Sequence, residues 1–179
     1  CKATGTAHRI VPFEYNTEQT FVLELGHQYM RFHTLGAQIL DSAAVRTITA
    51  ATQTNPVVVT SPGNFLAEGA EVYIEAVAGM TQLNGRNFIV ANNNANTFEL
   101  TTLDGTNVDG TGYTAYTSGG TATPPYEVAT PWSYTDLFEL KFGQSGDVMT
   151  ICRNDYAAQE LIRIDNDTWT LTDVELRTS

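Results

Sequence analysis

The stretch GMTQLNGRNF, residues 79–88, decides the architecture of the chain around it. Before it runs EVYIEAV, residues 71–77, in which polar and apolar side chains nearly alternate, and a second β-like run, NFIVA, follows at residues 87–91. The pair Asn84-Gly85 suits a type I′ turn, because both central residues of that turn need a positive φ, which Asn and Gly tolerate best. The pattern therefore predicts a β-hairpin that turns at Asn84-Gly85.

This hairpin lies in a block, residues 47–123, whose composition differs from that of its flanks. The block is rich in Thr, Asn and Gly and contains no Lys, His, Cys or Trp. Turn residues separate short β-type runs at residues 46–50, 57–60, 71–76, 87–91, 97–101 and 112–116. Short strands at such even spacing predict a small closed barrel or sandwich. The sequence SGGT at 118–121 is predicted to be a flexible exit from the block.

The flanks of the block also read as short strands joined by turns. Strand patterns occupy residues 8–15, 20–25, 28–33, 38–40, 126–129, 147–152, 159–164 and 168–174. Pro12 predicts an edge strand or a bulge, and residues 16–19 supply a turn. Residues 133–140 are predicted to form the one helical turn, with Ser133 or Thr135 as its cap and Asp136 near its positive end.

We therefore predict an all-β fold with a discontinuous organisation. Residues 1–46 and 124–179 would form an antiparallel β host domain, into which residues 47–123 are inserted as a small β-barrel or sandwich domain. The chain lacks an initiator Met and starts at Cys1. We expect it to be a fragment of a longer polypeptide.

Charge and cysteine content argue against several classes of function. The chain of 179 residues has 20 acidic and 9 basic residues and a net charge of −11, which disfavours binding to a nucleic-acid backbone. Two cysteines, Cys1 and Cys152, are too few for a disulfide framework or a zinc site. No apolar run approaches the length of a membrane-spanning helix.

The candidate metal and catalytic motifs are weak. His8, His27 and His33 do not form a ligand pair at HxH or HxxxH spacing. The loops at 104–110 and 165–167 resemble calcium loops in composition, but they lack EF-hand spacing, and Asp-Gly pairs are ordinary turn residues. No GxSxG motif, Cys/His set or phosphate-binding loop is present. We predict no metal, no cofactor and no enzymatic activity.

Aromatic residues gather in the sequence around the end of the block, and they allow two interpretations. These residues are Tyr113, Tyr116, Tyr126, Trp132 and Tyr134. Such a cluster could be a platform on which sugars stack, or it could be packing between domains. Tyr113, Tyr116, Trp132 and Tyr134 are the candidate interaction surface.

The block resembles the small β-domain known as the first catalytic cysteine half-domain of the ubiquitin-activating enzyme. The matching segments are NPVVVT at 55–60, EGAEVYI at 68–74, GMTQLNGR at 79–86, NTFEL at 96–100 and DG at 104–105. Structural proteins of bacteriophages carry similar modules, and the similarity includes the C-terminal segment of the block, residues 113–121. The resemblance implies a fold and no ubiquitin chemistry, because the enzyme's nucleotide site and cysteine have no counterpart here.

The flanks resemble large tail proteins of short-tailed phages, of the nozzle or tail tubular protein B type. The matching segments are IVPFEY at 10–15, YMRF at 29–32, ATPW at 129–132, DLFELKFGQSGDVM at 136–149 and WTL at 169–171. The resemblance implies a virion structural protein, made in the bacterial cytoplasm, that self-associates in a ring with other tail proteins. DNA would pass through that ring without sequence-specific binding.

Two functions follow from this reading, and they come from different classes. The first is a tail component of nozzle or tail-tube type, with the inserted domain projecting from its surface. The second is a carbohydrate-binding or adhesion module for a host receptor, with Tyr113, Tyr116 and Trp132 stacking on sugar rings.

Overall fold

The computed structural model describes residues 7–14 and 20–174. The chain divides into two compact units: unit 1 contains the described residues up to Ile39 and from Tyr126 onward, and unit 2 is Leu40–Pro125. The sequence had placed these boundaries at 46/47 and 123/124. Residues 40–46 belong to unit 2 because Leu40 bridges Pro125, and the Asp41 amide donates to the Pro124 carbonyl at 2.9 Å.

The fold is all-β, and every strand pairing in the described residues is antiparallel. The strands are β1 (Arg9–Glu14), β2 (Thr20–Gly26), β3 (Tyr29–Thr34), β4 (Ala37–Gln38), β5 (Arg46–Thr47), β6 (Ala50–Ala51), β7 (Val58–Thr60), β8 (Glu71–Ala78), β9 (Arg86–Ala91), β10 (Thr97–Thr101), β11 (Ser118–Thr123), β12 (Glu127–Ala129), β13 (Lys141–Ser145), β14 (Val148–Cys152), β15 (Gln159–Asp165) and β16 (Thr168–Asp173). Two short 3₁₀ turns lie at Ser42–Ala44 and Thr81–Leu83.

Unit 1 is a two-sheet sandwich. Its first sheet has the order β1-β2-β3-β12, with β4 also paired to β3, and its second has the order β13-β14-β15-β16. β1 lies at an edge, as Pro12 predicted. β12 pairs with β3 in the register Glu127↔Arg31. Strands that precede and follow unit 2 in sequence therefore share the first sheet.

The core of unit 1 is built around Trp169. Phe13 and Phe21 meet its ring edge-on at centroid distances of 4.8 and 5.2 Å, and Phe32 stacks on it at 4.5 Å. Aromatic pairs at such distances stabilise a core beyond the area that they bury. Phe13, Phe21 and Phe32 come from the first sheet and Trp169 from the second, so this cluster holds the two sheets together.

Unit 2 is a barrel-like sheet with the order β5-β11-β8-β9-β10-β7-β6. Its two outermost strands, β5 and β6, are separated in sequence only by Ile48 and Thr49. The Ile48 amide donates to Gly120 of β11 at 2.9 Å, and the Thr49 amide donates to Thr60 of β7 at 2.8 Å. One continuous stretch therefore joins both edges of the sheet, which removes the edges that an open sheet would leave unpaired.

The predicted type I′ turn at Asn84-Gly85 is wrong. β8 pairs with β9 only as far as Ile74↔Arg86, and β8 then continues to Ala78 along β11. Asn84 has φ −69°, so it is not in the left-handed region. Its side chain instead accepts from the Val77 amide and donates to the Val77 carbonyl, both at 2.9 Å.

Three other local predictions need correction. Residues 118–121, predicted to be a flexible exit from the block, belong to strand β11, which lies between β5 and β8. Gly120 is required in this strand because a Cβ would lie 2.5 Å from Cγ2 of Val77. Residues 112–116 form no strand, and residues 133–140 form turns instead of a helix. Strand β13 was not predicted. The predicted turn at 16–19 lies outside the described residues.

One hydroxyl connects the two sheets of unit 1 and can be tested by mutation. The Trp169 amide donates to the Tyr126 hydroxyl at 2.9 Å, and that hydroxyl donates to the Trp169 carbonyl at 3.1 Å. Tyr126→Phe should lower the free energy of unfolding by about 1–3 kcal/mol, because it removes both bonds while keeping the ring. Tryptophan fluorescence during urea unfolding measures this, since Trp132 and Trp169 both lie in the core of unit 1.

The matched control is Tyr134→Phe. Tyr134 is half exposed in the same unit, so loss of its hydroxyl should leave the urea midpoint unchanged. Equal effects of the two substitutions would contradict a structural role for the Tyr126 hydroxyl.

Candidate interaction surface

The structure separates the four predicted surface residues by environment. Tyr113 and Tyr116 pack against the core of unit 2, and the Tyr116 hydroxyl lies within hydrogen-bonding distance of the Ile48 and Gly119 carbonyls, at 3.1 and 3.0 Å. Trp132 is only 1% exposed and belongs to the core of unit 1. Its proposed role in stacking on a sugar is therefore corrected to core packing. Tyr134 remains half exposed, with its ring centroid 5.7 Å from that of His27.

An open groove lies on the outer face of the first sheet of unit 1. Its rim contains three exposed apolar side chains: Ile10 (59% exposed), Val22 (39%) and Leu35 (97%). The inward residues of the same strands, among them Phe21 and Leu23, are fully buried. β1 and β2 thus carry apolar side chains on both faces. We call this feature the Leu35 groove.

Leu35 is held outward by a strained turn. It forms, with Gly36, the two-residue loop between β3 and β4, where Thr34 pairs with Ala37. Leu35 has φ 51° and Gly36 has φ 79°, which is the backbone of a type I′ turn. Asn is the usual first residue of such a turn, and a leucine with positive φ is strained. The turn therefore presents an apolar side chain to solvent at an energetic cost to the isolated protein.

Two polar residues that line the Leu35 groove, Glu24 and His33, belong to a hydrogen-bonded network. Glu24 is 4% exposed; the Tyr29 hydroxyl donates to its Oε1 at 3.3 Å, and Nε2 of His33 lies 3.2 Å from its Oε2. Nε2 of His8 in turn lies 3.0 Å from the Tyr29 hydroxyl. Gly26 makes room for the Tyr29 ring, because a Cβ there would lie 2.2 Å from its Cζ. Hydrogen bonds of this kind satisfy the carboxylate of Glu24, which is buried.

A second exposed aromatic residue projects from unit 2. Phe65 is 84% exposed and has φ 49°. Its neighbour Asn64 is fully buried; the Asn64 side chain accepts from the Leu66 amide at 2.9 Å and donates to the Asn94 carbonyl at 2.8 Å. The loop is therefore fixed while Phe65 faces solvent.

In the two loops that resemble calcium sites in composition, Asp side chains accept hydrogen bonds from neighbouring residues. The Asp104 carboxylate accepts from the Thr102 hydroxyl and from the Thr106 amide, and the first of these bonds contributes most to holding its pKa below the usual value. The Asn166 amide donates to Asp165 at 2.7 Å. The Asp side chains thus cap their own turns.

The turn at residues 133–140, which replaces the predicted helix, is organised by Asp136. Oδ2 accepts from the Ser133 hydroxyl, the Ser133 amide and the Tyr156 hydroxyl, each at 2.8 Å, and Oδ1 lies 2.9 Å from Nη1 of Arg153. The Ser133 bonds, then the Tyr156 bond and the charge of Arg153, lower the pKa of Asp136 from 3.8 to about 2. The hydrogen bond between the Tyr156 hydroxyl and Asp136 raises the pKa of Tyr156. Asp136 is 5% exposed and anchors the turn in its ionised form.

The Leu35 groove was missed by sequence reasoning, although two signals for it were present. Strands β1 and β2 have apolar residues at successive positions, Ile10-Val11 and Phe21-Val22-Leu23, instead of strict alternation. A leucine also precedes the glycine of a tight turn. The Phe65 loop gave no comparable signal, because its conformation depends on Asn94 and its neighbours, about thirty residues away in sequence.

The ionised form of Asp136 should make unit 1 sensitive to acid. Because its folded pKa is lowered, its contribution is complete above the unfolded value near 3.8 and is lost as the pH falls towards about 2. Asp136→Asn should therefore be less stable than the wild type at neutral pH. The difference should shrink over that acid window, as measured by Trp fluorescence in urea at a series of pH values.

Asp155→Asn is the control for this acid experiment, because the Asp155 side chain is 78% exposed and lies 3.5 Å from Arg153. The stability of Asp155→Asn should depend on pH in the same way as that of the wild type. A stability difference for Asp136→Asn that does not change with pH would contradict the assignment.

Within residues 7–14 and 20–174, no group of three or more His, Cys, Asp or Glu side chains is placed to hold a metal ion. None of the helices in that part of the chain is long and apolar enough to cross a membrane. Neither a scan against protein-family models nor a search of curated proteins found a match to this chain.

Proposed function

We propose that this chain is a structural component of a bacteriophage tail, of the nozzle or tail-tube type. Several residues of the segments that resemble such tail proteins have structural roles in unit 1. Phe13, Trp132 and Met149 lie in its core, and Asp136 anchors its turn. The resemblance thus involves residues on which the sandwich depends, and this supports the proposal at the level of the fold.

The observation that carries the proposal is the exposure of Leu35 in a strained backbone. An isolated soluble protein gains nothing from a leucine that is 97% exposed and has positive φ. Such strain is found where a residue is held ready for a contact, and apolar patches rimmed by polar groups mark protein interaction sites. The Leu35 groove is therefore proposed as the contact through which subunits associate in a ring, and Phe65 as a contact with other tail proteins.

The proposed ring is compatible with the charge of the chain. A net charge of −11 would repel the DNA backbone, so DNA could pass through a channel without binding to its wall. The protein would be made in the bacterial cytoplasm and incorporated into the virion. Its role would be assembly, with no catalytic step.

The rival function, carbohydrate binding, has lost one of its three proposed stacking residues through the burial of Trp132. Tyr113 and Tyr116 also pack against the core of unit 2. No specific contact in the described residues favours this function.

Detection of the chain in virus particles tests the proposal. Antibodies raised against the purified protein should label the tails of purified particles in electron micrographs, and mass spectrometry should find the chain in those particles. Particles that lack the chain would overturn the proposal.

Leu35→Asn separates assembly from stability. Asn suits the first position of a type I′ turn, so the substitution should stabilise the isolated protein by about 1 kcal/mol. It should also weaken assembly into rings, because the apolar contact is lost. Thermal unfolding and analytical ultracentrifugation measure the two effects.

The control for this substitution is Leu103→Asn, at another exposed leucine in a turn. It should leave assembly unchanged. A ring that forms equally well from Leu35→Asn protein would contradict the proposed contact.

A further inference from the structure

Two sheet edges of unit 1, those of β1 and β16, are blocked by specific side chains. On β1, Pro12 lacks an amide hydrogen, and the Gln144 side-chain amide occupies both the amide and the carbonyl of Glu14, at 3.2 and 2.9 Å. On β16, the Tyr126 hydroxyl occupies the amide and the carbonyl of Trp169. Unpaired edges are templates for association, and these contacts make two of them unsuitable for a further strand.

Within the described residues, the edge of β13 (Lys141–Ser145) carries no such block. β13 is the outer strand of the second sheet, and Lys141, Gly143, Gln144 and Ser145 are exposed. It ends in a two-residue turn with φ 59° at Gly146, the geometry of a type II′ hairpin turn. No described backbone group pairs with its outer side.

The register defines which backbone groups of β13 face outward. The Asp147 carbonyl accepts from the Arg163 amide at 3.0 Å, so residues 147, 149 and 151 bond to β15. Residues 148, 150 and 152 of β14 therefore bond to their partners Ser145, Gly143 and Lys141. By the same alternation, the amides and carbonyls of Phe142 and Gln144 point away from the sheet.

We propose that β13 pairs with β13 of a second copy of this chain, antiparallel and about a twofold axis at Gly143. Phe142 of each copy would exchange backbone hydrogen bonds with Gln144 of the other, and the two sheets would become one continuous sheet. Such self-complementary contacts are the commonest route to dimers. This twofold contact goes beyond the proposed ring and does not depend on it.

Two features of β13 favour a second copy as the occupant. Gly143 would face Gly143 of the other copy in a pair without hydrogen bonds, where Cα atoms approach to about 4.5 Å, and glycine offers no side chain to obstruct this. The strand also has one Lys and no acidic residue, although the chain has a net charge of −11. In this register Lys141 would lie opposite Ser145, so no like charges would meet.

A charge at Gly143 tests the pairing without disturbing the monomer. A Cβ at Gly143 meets no atom within 4 Å, so substitutions there are tolerated by the fold. Gly143→Glu would place two carboxylates opposite each other and should weaken the dimer about fivefold or more. Gly143→Gln, of the same shape and uncharged, should retain it. Sedimentation velocity over a range of concentrations measures both, and circular dichroism verifies folding.

Cysteine cross-linking tests the register of the same pairing. The background carries Cys1→Ser and Cys152→Ser, since Cys152 is exposed. Gly143→Cys should then form an intermolecular disulfide on mild oxidation, because a Cα separation of about 4.5 Å is within the range of disulfides. Ser145→Cys is the control, since its two copies would lie about 14 Å apart along the strands.

The outcomes are distinct. A concentration-dependent dimer that Gly143→Glu weakens and Gly143→Gln retains, with cross-linking faster at position 143 than at 145, supports the strand pairing. A monomer at all concentrations, equal effects of Glu and Gln, or equal cross-linking at the two positions overturns it. None of these results bears on whether the chain is found in phage tails.

Discussion

The pairing of β12 with β3 is the constraint on which unit 1 depends. Arg31 is 1% exposed, and a buried guanidinium must be paired because its desolvation is costly. Its Nε and Nη2 donate to Oε1 of Glu127 at 2.8 and 2.6 Å, across 96 positions of sequence. The first sheet therefore cannot be completed until the chain has passed through the whole of unit 2. A contact of such long sequence separation carries a cost in loop-closure entropy, which slows folding unless the intervening segment is itself compact.

Unit 2 meets this requirement because its sheet is joined edge to edge. The stretch 46–51 pairs with β11 at one end and with β7 at the other, so the segment is held from Leu40 to Pro125 by its own hydrogen bonds. Within unit 2, Leu40 and Pro125 lie together in a β-bridge. Within unit 1, the Tyr126 amide donates to the Ile39 carbonyl at 2.9 Å. Each unit thus holds together the two chain segments at its own boundary by its own hydrogen bonds.

On the surface of unit 1, some sheet edges have their backbone groups occupied by side chains, while other features remain exposed to solvent. Gln144 and Tyr126 use side chains to occupy backbone groups that an incoming strand would need, while the outer side of β13 and the Leu35 groove remain exposed. Occupied backbone groups cannot pair with an incoming strand, whereas unprotected edges are templates for association. Leu35 is exposed and has a positive φ, and such backbone strain persists only where the surrounding structure enforces it.

The sequence by itself determined the class of fold and most of the strands. Alternating polar and apolar residues locate a strand because side chains point to opposite faces, and this local rule placed β10, for example, at its observed bounds, Thr97–Thr101. Tertiary structure decided where a locally favoured turn or helix was replaced by another conformation. Asn84-Gly85 suits a tight turn, yet β8 extends to pair with β11 and uses the Asn84 side chain to hold Val77. Gly119-Gly120 suits a flexible linker, yet it lies within a strand that pairs with β5 and β8, and Gly120 fits there because a Cβ would collide with Val77. The burial of Trp132 was likewise set by tertiary packing, since local patterning does not reveal which apolar side chains the rest of the unit will cover.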